Sequence, residues 1–210
     1  LFVQITLEIL KKILPIFSYI FHPIFISVMA TLVYLFYNAS FIINKEKIFV
    51  FSQILIITVI IPVLLFFILR AVGKIDSIMV AEVSQRKIPL LIHSFLIIIL
   101  VRKSITIDRY PELHFFFLGV LMSTLQALIL SFFKTKASLH MMGISSLTVF
   151  VIGISIHYQV QSTFLIAFLI LMNGLVASSR LEMKAHTTTE LIIGFLLGSV
   201  SQMLLLYLWL

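Results

Sequence analysis

The chain has 210 residues, 61% of them hydrophobic and 11% charged, with a mean hydropathy of +1.21. A soluble domain carries roughly 25% charged residues, so a water-facing surface is excluded. The formal net charge is +7, but the cations sit at the ends of apolar runs, so membrane lipids and an anionic substrate are the expected partners and nucleic acid is not.

The chain opens at Leu1 rather than Met, and an upstream segment is expected to have been removed or left outside the numbering. Residues 1–12 place Leu1, Phe2, Ile5, Leu7 and Ile9 ahead of Lys11 and Lys12, the pattern of a short interfacial helix. From Ile13 to Ile43 there is no Asp, Glu, Lys or Arg, and about 20 apolar residues suffice to cross a bilayer. That run lacks a small-residue cleavage pattern and reads as a retained span. Charges and turn residues then punctuate further apolar runs, giving spans at about 13–40, 49–70, 88–101, 112–133, 139–157, 161–177 and 188–210. Pro15, Pro23 and Pro62 fall inside spans and are candidate kinks.

The runs are near-continuously apolar, not alternating as barrel strands are, so helices are expected. The fold class is therefore an all-α integral membrane protein, a bundle of about six or seven transmembrane helices in one domain over residues 1–210. The expected location is a bacterial inner (cell) membrane. There is no cysteine, which excludes disulfides and thiolate metal sites.

Seven alternating spans put loops 71–87, 134–138 and 178–187 on the N-terminal face, here face X, and loops 41–48, 102–111 and 158–160 on face Y. Face X carries ten basic residues and face Y five, but a phosphate site would itself enrich face X in cations, and without Arg86, Lys87, Lys134, Lys136 and Arg180 the count is five against five. The positive-inside rule then assigns no orientation.

The three X loops are rich in polar residues. His186 and Glu190 are four apart and share one helical face. A carboxylate behind an imidazole fixes its tautomer and raises its basicity, and an oriented imidazole can act as a nucleophile. Arg180 and Arg86 offer planar forks for phosphate oxygens, and His140 can protonate a leaving oxygen. Helix starts near residues 139 and 187 add backbone donors. The group suits an anion, above all a phosphate ester.

The segment SRLEMKAHTTTE (179–190) resembles the third motif of the type 2 phosphatidic acid phosphatase family: Ser-Arg, five residues, His, three residues, Asp, with Glu190 in the last slot. Ala137-Ser138-Leu139-His140 is similar to the second motif, Pro-Ser-Gly-His, with Leu139 in the glycine slot. Arg86-Lys87-Ile88-Pro89 resembles the first, Lys, six residues, Arg-Pro. Arg86 fits its arginine, Met79 holds the lysine slot and Pro89 is displaced. The likeness covers about residues 79–190.

The resemblance implies a metal-independent, cofactor-free membrane lipid phosphatase acting on a phosphate monoester or diphosphate of a lipid. It implies His186 as the nucleophile that becomes a phosphohistidine, Glu190 as its orienter and His140 as general acid. Arg86, Arg180 and Ser138 would hold the phosphate oxygens, with Lys87 and Lys136 as further cations. Phosphatidic acid, phosphatidylglycerophosphate, polyprenyl diphosphate and lipid A phosphates are the substrates it suggests.

Blander readings stay open beside it. Ser179-x-x-Glu182 and Thr187-x-x-Glu190 both fit capping boxes. Lys134, Lys136 and Lys184 suit head-group contacts. His22 and His157 read as interfacial, and His93 and His114 as histidines satisfied by a neighbouring helix. A non-catalytic family member, a transporter and a structural subunit docking through the X loops are the alternative functions. A transporter predicts charges near the midplane, and these spans are almost free of them.

Overall fold

In hydrocarbon every backbone N–H and C=O needs a partner within its own segment, and a continuous apolar run meets that demand as a helix. The computed structural model describes residues 12–38, 42–75 and 82–210, and among these the chain is all α with no strand. The elements are α1 (Lys12–Ile20), α2 (Pro23–Tyr37), α3 (Asn44–Leu55), a π turn (Ile56–Ile60), α4 (Ile61–Ala71), a 3-10 turn (Ser84–Arg86), α5 (Lys87–Lys103), α6 (Pro111–Phe132), α7 (Leu139–His157), α8 (Thr163–Glu182) and α9 (Thr188–Leu206). Six helices are long and apolar enough to cross a membrane, with Asn44–Ala71 counted as one rod. The bent pair α1–α2 makes a seventh if it is one span. The chain is a helical membrane protein. The expected interfacial helix over residues 1–12 lies outside the described residues except for Lys12, as does Met79.

Three boundaries differ from the sequence reading. The first span is not continuous: α1 and α2 meet at 60°. Pro23 lacks an N–H and disfavours helical geometry in the residue before it. It takes the first turn of α2, where that N–H is not needed, and His22, in extended geometry, caps the helix. The second span starts at Asn44 rather than 49, because charged residues such as Lys45 and Lys47 sit comfortably in a helix that has left the hydrocarbon. The sixth runs on to Glu182, which moves Ser179 and Arg180 from a loop onto the end of α8. Hydropathy marks where lipid ends, not where the helix ends.

Helix α7 is the axis of the bundle, packing against α2, α6, α8 and α9. Phe116, Phe117, Ile144, Phe150 and Ile154 form its fully buried surroundings. The α3–α4 rod is peripheral, and α4 buries no residue. Phe36, Phe67, Phe95 and Phe164 point outward, where lipid is the solvent.

Two glycines set the α7–α9 contact. A Cβ on Gly194 would collide with the Ser138 backbone, and one on Gly198 with the Met142 carbonyl. Small residues one turn apart let membrane helices approach this closely. As a result the Ser138 N–H donates to the Glu190 carbonyl at 3.0 Å, and the starts of α7 and α9 lie side by side.

The two bundle ends carry separate polar networks. On face Y, Glu112 accepts from Tyr158 at 2.5 Å and lies 3.3 Å from His157 Nε2. Tyr158 also donates to Asn38 at 2.9 Å, and Glu46 accepts from Arg109 and Tyr110. On face X the contacts run among residues 18–22, 86, 136–140 and 179–190, as described next.

Candidate functional site

The turn into α9 is built by Thr187. Its hydroxyl accepts from the Glu190 N–H, and the Glu190 carboxylate accepts from the Thr187 N–H, a complete capping box. The same carboxylate oxygen receives His186 Nδ1 at 2.7 Å. Capping and orienting are therefore one arrangement rather than rival roles. With Nδ1 donating to a carboxylate, the lone pair of the ring lies on Nε2.

Ahead of His186, Lys184 adopts a left-handed conformation at φ 51°. The Lys184 N–H bonds Leu181 O and the Ala185 N–H bonds Arg180 O, which closes α8 with a Schellman turn. Lys134 does the same after α6 at φ 57°. These turns bring His186 and Lys136 back over the bundle end, where Lys136 Nζ donates to Ala185 O at 2.8 Å.

Arg86 sits in the 3-10 turn ahead of α5 and donates to Ala137 O at 3.0 Å, which ties the first X loop to the second. Arg180 is only 4% exposed. Its guanidinium reaches Met183 Sδ, and its Nε–H has no partner among the described residues. His186 has Lys136, Arg86 and Arg180 as electrostatic neighbours, and His140 has Arg180, His22 and His186. Arg86, Lys136 and Arg180 thus gather on the same face as the Glu190 carboxylate, while Glu82, near Lys136, and Glu182, at the end of α8, lie exposed.

Burial is the main cause holding the His186 imidazole below its ordinary pKa. The Glu190 hydrogen bond opposes it, and Lys136, Arg86 and Arg180 reinforce it. Burial, then Arg86, holds Lys136 below the usual lysine range. The His186 imidazole is thereby held in its neutral form over the physiological range.

The structure brings Arg86, Lys136, His140, Arg180, His186 and Glu190 together. Ser138 is fully buried at the start of α7, where its Oγ accepts from Met141 N. Lys87 does not join the group: one residue after Arg86 on a helix is a rotation of about 100°, and its ammonium sits 4.6 Å from the Phe132 ring centroid. Among the described residues no set of three or more His, Asp or Glu suits a metal.

Two contacts escaped the sequence reading. The His22 ring packs edge-on against His140, centroids 5.1 Å apart, and Ser18 Oγ meets Ser179 Oγ at 2.6 Å. The His22-Pro23 pair inside an apolar run was the available signal of a break. His93 and His114 find partners in Thr124 and the Ile105 carbonyl.

A cavity of about 220 Å³ lies beside the group, with His22 and Leu139 in its wall and Ile26, Pro62, Leu90 and Met142 further in. It exceeds the roughly 150 Å³ of an apolar cavity that holds a benzene ring.

Comparison with family models, curated proteins and solved structures finds no match to this chain.

Proposed function

We propose that this protein is a membrane lipid phosphatase, hydrolysing a phosphate monoester or diphosphate on a lipid through a phosphohistidine on His186. One observation carries the reading: Arg180 is a buried guanidinium with an unpartnered Nε–H and no carboxylate ion pair among the described residues, beside an oriented imidazole. An uncompensated buried charge costs several kcal/mol, and a phosphate dianion among Arg86, Lys136 and Arg180 would remove that cost. The resemblance of the three polar segments to the type 2 phosphatidic acid phosphatases points the same way. The adjoining cavity supports an apolar substrate tail.

In this reading His186 Nε2 attacks phosphorus as the bond to the leaving oxygen breaks. His140, protonated once the phosphate dianion sits beside it, hands that oxygen its proton, so an alcohol (or a phosphate, from a diphosphate) departs. Glu190 stabilises the positive ring as it forms. His140, now neutral, takes a proton from water, whose oxygen attacks the phosphohistidine and frees inorganic phosphate and His186. Arg86, Arg180 and Lys136 meet the charge that gathers on the phosphoryl oxygens.

The test uses protein in detergent micelles with the four lipid phosphates named above. Phosphate release is expected from at least one, lost in His186→Ala, with an acid-labile phosphoprotein trapped on rapid quench. Release from none, or release that survives His186→Ala, overturns the proposal.

A further inference from the structure

The helix break at Phe21–His22 puts an N-terminal segment with no motif against His140. Ser18 lies in the last turn of α1. The bend at His22 takes away the donor that an uninterrupted helix would have given the Ser18 carbonyl four residues on. The Ser18 backbone instead lies beside the His140 ring. The carbonyl end of a helix carries partial negative charge and favours a cation beside it. His22 completes the seat: its Nδ1 accepts from Ile24 N at 3.4 Å, and its ring stands at 87° to the His140 ring. The Ser18–Ser179 hydroxyl contact fixes α1 to α8 one residue from Arg180.

We infer that the α1–α2 break is a positioning device for His140, in which the His22 ring, packed edge-on against it, sets the plane of the imidazole beside the carbonyl end of α1, leaving one ring nitrogen for the phosphate site. His22 is a positioning residue here, not a catalytic one. The inference rests on the phosphatase reading, in which His140 is the general acid.

An acid matters for a poor leaving group and little for a good one, and that difference supplies the test. The substrates are a long-chain alkyl phosphate and a nitrophenyl phosphate carrying a similar alkyl chain. His22→Asn keeps an acceptor for the Ile24 N–H but removes the ring, whereas His22→Phe keeps a ring of similar shape. A general acid contributes about 100- to 10,000-fold, and a small misplacement costs up to about 100-fold. Expected is a loss of roughly 10- to 100-fold for His22→Asn on the alkyl ester, a loss under about 3-fold on the nitrophenyl ester, and near wild-type rates on both for His22→Phe. His140→Ala should show the same selectivity, more strongly. His22→Ala is a second ring-less variant, and whichever melts like wild type carries the comparison. Equal losses on both esters, or no loss on either, overturn the inference while the phosphatase reading stands. Wild-type protein that releases no phosphate, or His186→Ala that still does, overturns both.

Discussion

The backbone N–H of Ser138 donates to the carbonyl of Glu190, joining the residue that caps α7 to the first turn of α9. His140 lies two residues beyond one end of that bond and His186 four residues before the other, so the spacing of two helix starts sets the spacing of two imidazoles. The bond exists because Gly194 and Gly198 let α9 approach α7 without a side chain between them.

Gly198→Ala is therefore expected to act at a distance. The new methyl meets the Met142 carbonyl, which is backbone and cannot swing aside. Overpacking of this kind costs about 1–3 kcal/mol. The melting temperature should fall, and phosphate release should fall further than partial unfolding explains, because the histidines separate. A variant with lowered stability and full activity in its folded fraction would show that the helix contact does not set the site.

In the proposed reaction the acid limb of kcat/KM should report His186, which must be neutral to attack. Its pKa is held below the ordinary value by burial and the neighbouring cations, so activity should persist as pH falls through about 6.5 and be lost only below that. Lys136→Met removes a cation that lowers this pKa, and the limb should move to higher pH. Glu190→Gln removes the group that raises it, and the limb should move lower while the maximal rate drops by about 100-fold or more. Limbs that both move the same way would contradict the arrangement.

Arg180→Met should separate stability from function. It replaces a buried charge that has no counter-ion among the described residues with an apolar chain of similar length. Exchanging buried ionic groups for apolar ones is often neutral or stabilising by about 1–4 kcal/mol. Thermal denaturation should show an unchanged or raised midpoint, while inorganic phosphate, which should raise the wild-type midpoint by mass action, should no longer do so. A large drop in the midpoint without phosphate would mean that Arg180 has a structural partner.

Tyr158→Phe probes the opposite face. It leaves the buried Glu112 with His157 and Tyr34 as its remaining partners and takes the Tyr158 hydroxyl from Asn38. Unpaired buried acceptors cost about 1–3 kcal/mol, so the midpoint should fall. The proposed phosphatase activity, assigned to the other end of the bundle, should keep its KM and kcat in the folded protein. A changed KM would couple the two faces.

How far the sequence reaches can be followed residue by residue. The helical membrane fold was legible because the absence of charge over long runs leaves one backbone solution in lipid. The His186–Glu190 pairing was legible because four residues on a helix is a local distance. Arg86 was legible as a candidate, yet its neighbour Lys87 was a candidate on equal terms, and only the helical rotation toward Phe132 separates them. His22 was legible as a residue before proline but not as a neighbour of His140.

By itself, then, the amino-acid order determined the helices, their number to within one, and the local turn that binds His186 to Glu190, since each follows from hydropathy or from contacts a few residues apart. Which cations meet those histidines, and that the α1–α2 break brings His22 against His140, was decided by tertiary packing. Those contacts depend on where glycines let helices touch and where Pro23 bends the chain, and their partners lie from 49 residues apart, for Lys136 and Ala185, to 161, for Ser18 and Ser179.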